Sequence, residues 1–184
     1  MIKVRKYEKE DYDSVRKICA NTSSEPFKSN ADLRETCLKV FCDYYIEREP
    51  QNCFVAVDDN GTIAGYILCA IRFDKWKEDF YKHYLAGSTE LTRMMGQGSI
   101  DDLSQNAKEF PAHLHIDISE QYQHQEIGTM LWNALKEHLL ENSVKGIQLG
   151  VAADNAGAIS YYKKMGFTLI SEDENELCFG MKLS

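Results

Sequence analysis

The chain has only three prolines and carries no low-complexity tract or internal repeat, which excludes solenoids and disordered linker arrays. No apolar run approaches the roughly 20 residues that span a bilayer. The opening MIKVRKYEKEDY lacks the apolar core of a secretory leader, so no membrane partner is expected. The cysteines Cys19, Cys37, Cys42, Cys53, Cys69 and Cys178 include no CxxC pair and no zinc-like spacing. Most fall among apolar neighbours, as reduced thiols of a cytoplasmic protein would. Positive charge is also short: 21 Lys and Arg face 29 Asp and Glu, a net charge of -8. That balance disfavours nonspecific nucleic-acid binding and suits a cationic small-molecule substrate.

What is present is an ordinary globular composition. The 184 residues are 43% hydrophobic and 27% charged, enough for a single domain, 1–184, with one core of normal size. IKVRKY alternates as a first strand, and a helix is expected over residues 8–20. In the next helix Leu33, Cys37, Val40, Phe41, Tyr44 and Tyr45 form the apolar stripe, with Arg34, Glu35, Lys39 and Asp43 on the polar face. CFVAV and TIAGYILCAI flank Asp59, Asn60 and Gly61, and Asn-Gly predicts a tight hairpin with two positive-φ residues.

Residues 72–110 interrupt this rhythm. Trp76, Phe80 and Tyr84 recur four apart and predict a helix, followed by a short helix and loop. An insertion this long either packs as a surface elaboration or closes over substrate. Trp76, Phe80, Tyr81 and Tyr84 would supply apolar walls to an acceptor.

The second half is the most regular. AHLHIDI reads as a strand. Ile127, Met130, Leu131, Ala134, Leu135, His138 and Leu139 make a helical stripe. GIQLGVAA is a strand apolar on both faces. NAGAISYYKKM is a helix capped by Asp154 or Asn155 and ended by Gly166. FTLISED and ELCFGMKL close the chain as strands. The order implies a right-handed βαβ crossover in a mixed sheet.

Between AHLHIDI and the following helix runs EQYQHQEIGTML. A turn from a strand into a helix N-terminus aims backbone N–H groups and the positive end of the helix dipole at one point, where an anion is stabilised. The pattern resembles the acetyl-coenzyme A loop of the GNAT superfamily of N-acetyltransferases, [Q/R]-x-x-G-x-[G/A], with Gln123 first and Gly128 last. Downstream, NAGAISYYKKMGF resembles the family's N-x-x-A-x-x-x-Y-x-K-x-G-F, with Asn155, Ala158, Tyr162, Lys164, Gly166 and Phe167 in register. AHLHIDI falls where the family's central fourth strand belongs. The wording is closest to bacterial GNAT proteins related to the acetyltransferase-like domain of O-GlcNAcases.

The resemblance covers nearly the whole chain and implies an α/β fold of the GNAT type. That fold has a mixed, mostly antiparallel sheet of about seven strands, a parallel βαβ unit at the cofactor site and helices on both faces. It implies acetyl-CoA as co-substrate, direct attack by an amine of a small molecule or peptide, and a monomer or homodimer. The cofactor would be held by the main chain of Ile116 and Ile118, by Gln123, His124, Gln125, Glu126, Ile127, Gly128 and Thr129, and by Asn155, Ala158, Tyr162 and Lys164. Tyr162 would protonate the departing thiolate.

Three positions depart from the family: Glu126 stands where glycine is usual, Gln125 where a basic residue is frequent, and His124 where glycine is common. A carboxylate about 5 Å from a diphosphate costs about 1–3 kcal/mol, roughly tenfold to a hundredfold in affinity. Alternatively Glu126 lies in the first helical turn, complements the dipole and faces solvent, leaving its N–H for the ligand.

His113, His115 and Asp117 alternate, so they share one strand face. They could supply the general base, with Asp117 first and His115 second, or satisfy one another in the core. The spacing also admits a metal site, although none is expected. A GNAT-like module that binds CoA or a partner without acetyl transfer is the alternative function.

Overall fold

Residues 1–123 and 125–183 are described by a computed structural model. Seven strands form one sheet in the order β1-β2-β3-β4-β5-β7-β6. They are β1 (Lys3–Lys6), β2 (Phe54–Val57), β3 (Ile63–Ala70), β4 (Ala112–Ile118), β5 (Gly146–Ala152), β6 (Thr168–Glu172) and β7 (Glu176–Lys182). Every neighbouring pair is antiparallel except β4 and β5. The mostly antiparallel sheet is the one the resemblance implies, and its parallel pair is the crossover implied by the order of elements.

Side chains leave alternate faces of a strand, and β3 shows the division. Tyr66, Leu68 and Ala70 enter one core, Ile67 and Cys69 the other. The first core is closed by α1 (Tyr12–Thr22), α2 (Ala31–Leu38), α3 (Tyr44–Arg48), α4 (Phe73–Phe80) and α5 (Glu90–Ser104). The second is closed by α6 (Ile127–Glu141) and α7 (Ala156–Lys164). Ile127, Leu131, Leu135 and Leu139 keep the predicted stripe of α6, while Met130 lies at its exposed margin. Asn155 caps α7 by accepting from the Ala158 N–H at 3.0 Å, and Gly166 ends it at φ 93°.

Three local expectations change. The segment joining α2 to α3, Lys39–Asp43, is a π turn, whose extra residue rotates the helix face that follows. Asp43 therefore leaves the polar face and is buried, 3.2 Å from Arg16 Nε. In the β2–β3 turn only Gly61 has positive φ, at 82°. Asp58 organises that turn: its Oδ1 accepts from the N–H groups of Asn60 and Thr62 at 2.9 Å each. An Asx side chain thus replaces the primed turn expected from Asn-Gly. Finally, α5 is a full helix of 15 residues. Its Gly96 sits against Leu85, and a Cβ there would collide with that side chain, so close packing compensates for a poor helix former.

Residues 72–110 are therefore built into the core. Trp76, Phe80, Leu85, Ile100 and Leu103 are all buried in the first cluster, as expected of a segment that packs. No described helix is long and apolar enough to cross a membrane.

β3 and β4 approach most closely at Gly65, opposite Ile118. A Cβ there would lie 2.6 Å from Ile118 Cδ1 and 2.8 Å from the Asp117 carbonyl oxygen. Backbone cannot yield cheaply, so Gly65→Ala should destabilise the fold by about 1–3 kcal/mol, at about 2–4 °C of Tm per kcal/mol. Thermal melting measures this, and a variant that melts with the wild type would contradict the contact.

Candidate active site

β4 is paired to β3 along six residues, Gly65–Ala70 against His113–Ile118. Its pairing to β5 comprises Ala112 with Ile147 and His113 with Gln148. Beyond that β5 follows β7 through seven pairs, from Gly146 with Lys182 to Ala152 with Glu176. The two strands part like a V, leaving main-chain groups of β4 beyond His113 without β5 as a partner. Ile116 and Ile118 lie on that stretch, where an extended amide chain could add as a strand would.

On the second-core side of the V stands the turn into α6. Ser119 donates its N–H to the Ala64 carbonyl at 2.9 Å, and the Tyr122 hydroxyl donates to Asp58 at 2.6 Å. Gln123 Nε2 donates to the Ile118 carbonyl at 3.2 Å, so this side chain ties the loop back to β4. Gln125 and Glu126 are exposed, Ile127 is buried, and Gly128 and Thr129 are half-buried. Thr129 spends its hydroxyl on Met165 Sδ at 3.8 Å. His124 lies outside the described residues.

Glu126 is not in the first helical turn. It is the N-cap of α6, with left-handed backbone at φ 58°, ψ 9°, a conformation that glycine adopts freely and other L-residues adopt at a cost of about 1–2 kcal/mol. The family's glycine thus has a backbone reason at this position, and here a carboxylate stands in its place. Gly128 is needed for a different reason. A Cβ on it would lie 2.6 Å from the Tyr161 hydroxyl, which is buried and unpartnered among the described residues. Burial raises this phenol to about 12.

α7 brings Tyr162 to the same gap. Its ring packs edge-on against Phe167 at 5.9 Å and lies 6.4 Å from Phe179, beside Leu114 and Ile116 of β4. Burial, then the Asp117 charge, pushes its hydroxyl above the usual phenol range. Asn155 and Lys164 are exposed at the two ends of α7, and Ala158 packs against the second core.

The first-core side of β4 carries the polar trio. The Tyr45 hydroxyl lies 3.0 Å from His113 Nε2 and 3.1 Å from His115 Nε2. A phenol has one proton to give, so it donates to one imidazole and accepts from the other. Both rings are neutral: burial lowers His113 well below its ordinary value and His115 to about 4. Asp117 bonds elsewhere, accepting from the Tyr66 hydroxyl directly across the strand pair. Burial raises Asp117 to about 7 against the opposing hydrogen bonds of Tyr66 and Thr22. Among the described residues no three His, Cys, Asp or Glu side chains are arranged to hold a metal ion. Tyr45 and Tyr66 were not anticipated. Tyr45 reads as one more apolar-stripe residue, and the partner of Tyr66 depends on a strand register set across the 72–110 insertion.

Two cavities open on this face. One of about 240 Å³ is bordered by Cys19, Thr22, Phe41, His115 and Asp117. The other, about 250 Å³, runs into the V between His113–His115 and Leu149–Ala152, under Tyr45 and Trp76. Phe41 and His115 border both. The arrangement sets the N-terminus of α6 on one side of a strand gap and a buried carboxyl raised to about 7 on the other.

A model of the acetyltransferase (GNAT) family matches residues 15–167. Among solved structures the chain is similar to SsHAT, at 22% identity and a TM-score of 0.89, over 100% of this chain and 98% of that one. It is similar to PaiA N-acetyltransferase from Thermoplasma acidophilum, solved in complex with coenzyme A, at 18% identity and a TM-score of 0.66 over 99% of each chain. The ribosomal-protein-S18-alanine N-acetyltransferase from Escherichia coli matches at 16% identity and a TM-score of 0.61, over 100% and 95%.

A carboxyl with a raised folded pKa binds its proton more tightly when folded. Its contribution to stability is full below about 4, the unfolded value, and is lost as pH rises through about 7 for Asp117. Asp43 and Glu176, raised to about 6 and about 7 by burial, add slopes of the same sign, so the test is a difference. Asp117→Asn should flatten the decline in denaturant-measured stability between pH 4 and pH 8. Parallel curves for wild type and variant would show that Asp117 is not desolvated.

Proposed function

The chain belongs to the acetyltransferase (GNAT) family, whose co-substrate is acetyl-CoA, and we propose that it acetylates a primary amine of a small molecule or peptide by direct attack. The observation that carries this reading is the parting of β4 from β5, with the α6 N-terminus on one side and Asp117 on the other. Pantetheine would run along Ile116 and Ile118, and the diphosphate would meet the N–H groups of the loop and first turn, residues 123–129. That the structurally similar PaiA N-acetyltransferase was solved in complex with coenzyme A supports coenzyme A as the ligand.

An alkylammonium near pKa 10 must lose a proton before it attacks. Asp117, at about 7, can hold that proton at neutral pH, whereas His115, at about 4, is too weakly basic to retain it. Asp117 is therefore the base and His115 a neutral neighbour that can relay a proton. The amine nitrogen bonds to the thioester carbon, the C–S bond breaks, and Tyr162 protonates the leaving thiolate. The protein would act in the cytoplasm as a monomer or homodimer.

The second reading, a module that binds CoA without turnover, is favoured by one observation: the Glu126 carboxylate at the mouth of the anion site. Calorimetry with acetyl-CoA followed by thiol release across an amine panel separates the two. Binding with release supports the enzyme, binding alone the module, and no binding removes both.

Within the enzyme reading, Tyr162→Phe should lower kcat by about a hundredfold while leaving CoA affinity within about twofold. Unchanged turnover would remove Tyr162 from proton transfer. Glu126→Asn tolerates the left-handed backbone and deletes the charge, so CoA should bind about tenfold tighter. Equal Kd values would place the carboxylate clear of the diphosphate.

A further inference from the structure

Of the six cysteines, three converge on the first-core face of the sheet. Cys19 of α1, Cys37 of α2 and Cys42 of the π turn are 4%, 6% and 0% exposed and belong to one core cluster. The thiols of Cys37 and Cys42 both lie within hydrogen-bonding reach of Cys19, and all three are free. Cys53 and Cys178 are placed differently, each donating to oxygen. Cys53 donates to the Tyr45 and Glu49 carbonyls at 3.6 and 3.5 Å, and Cys178 to Gln148 Oε1 at 3.5 Å.

Position also separates two of the trio from thiols that only pack. Cys19 and Cys37 both border the 240 Å³ cavity, together with His115 and Asp117, whereas Cys42 does not. A solute as small as a peroxide fits that space. Tyr66, which donates to Asp117, also reaches Cys19, so one hydroxyl separates this thiol from the carboxyl. Hydrogen bonds from Cys37 and then Cys42 hold the Cys19 thiol well below its ordinary value, and Cys19 in turn raises Cys37. Cys19 is therefore the nucleophile of the pair and Cys37 the thiol that follows. Side chains already in contact need little backbone movement to join.

We propose that Cys19 and Cys37 form a reversible disulfide when a peroxide enters this cavity, and that the bond closes the cavity to the acetyl acceptor. The Cys19 thiolate attacks one peroxide oxygen and the O–O bond breaks. The hydroxide that leaves takes up the proton Cys19 released. The Cys37 thiol then attacks the sulfenic sulfur, an S–S bond forms, and the S–OH group departs as water with the Cys37 proton. Two thiols lose two electrons, and one peroxide becomes two waters. The new bond joins two walls of the cavity, α1 and α2, and narrows the space beside Asp117. Acetyl-CoA, at residues 123–129 on the other side of β4, keeps its place. The loss of turnover rests on the acetyltransferase reading; the disulfide itself does not.

Trypsin places the three cysteines on different peptides, residues 18–28, 35–39 and 40–48. Non-reducing peptide mapping of the full chain after hydrogen peroxide, with free thiols alkylated, therefore identifies the bonded pair. The expected product joins the first two peptides and is released by dithiothreitol. No cross-link, or one from 18–28 to 40–48, overturns the assignment. For the amine that the reduced protein uses best, oxidation should lower kcat/KM at least about tenfold and leave the Kd of acetyl-CoA within about twofold. Dithiothreitol should restore the rate. Cys37→Ser, shown to be folded by thermal melting, should keep its own activity under the same treatment. Undiminished kcat/KM in the cross-linked protein, or equal inactivation of Cys37→Ser, overturns the closure. The wild-type map and its reversal need no variant. If the reduced protein acetylates no amine, the acetyltransferase reading fails separately, and the peptide map still decides the disulfide.

Discussion

The separation of two parallel strands is the constraint on which the rest of the molecule depends. β4 remains with β3 for six residues, while β5 turns away to follow β7 for seven. Their pairing includes only Ala112 and His113 of β4. At that crossing the chains are tight, since a Cβ on Gly146 would lie 2.6 Å from the Glu109 carbonyl oxygen. Above it, main-chain groups of β4 that a continuous sheet would satisfy are left without β5 as a partner. The helix that follows β4 then points its N-terminus at the opening, and the strand's other face turns its polar side chains to the opposite core.

That polar face is held by tyrosines. Two imidazoles and a carboxylate on a central strand would be costly in an apolar core, and hydroxyls from α3 and β3 offset the cost. Tyr45 serves both histidines and Tyr66 serves Asp117. The result is a face with two neutral imidazoles and a carboxyl that burial raises to about 7. The carboxylates of Asp102 and Glu176 lie in a different setting, on α5 and β7.

At the anion loop, backbone conformation and charge pull apart. Residue 126 must be left-handed to start α6 where it does, which is why glycine suits it. Glutamate meets the backbone requirement at a cost in strain and brings a negative charge to the position. Gly128 two residues later makes room for the Tyr161 hydroxyl. The two positions look alike as a motif, but one is about dihedral angle and the other about space.

The sequence by itself determined the elements. Alternation located β4, a run apolar on both faces β5, and a period-3.6 stripe α6, because the faces each element buries force those patterns. Strand–helix–strand order then required the parallel crossover, and the cap and ending of α7 were legible at Asn155 and Gly166. The alternation of His113, His115 and Asp117 placed them on one face. Only the tertiary structure decided what that face meets. The π turn at Lys39–Asp43 shifted a helix face and buried Asp43, and Gly96 could sit in a long helix because Leu85 fills its notch. Tyr45 and Tyr66 reach that face from positions distant along the chain. Their convergence depends on sheet order and on the splay of β4 from β5, which are set by packing between segments and leave no periodicity in any one of them.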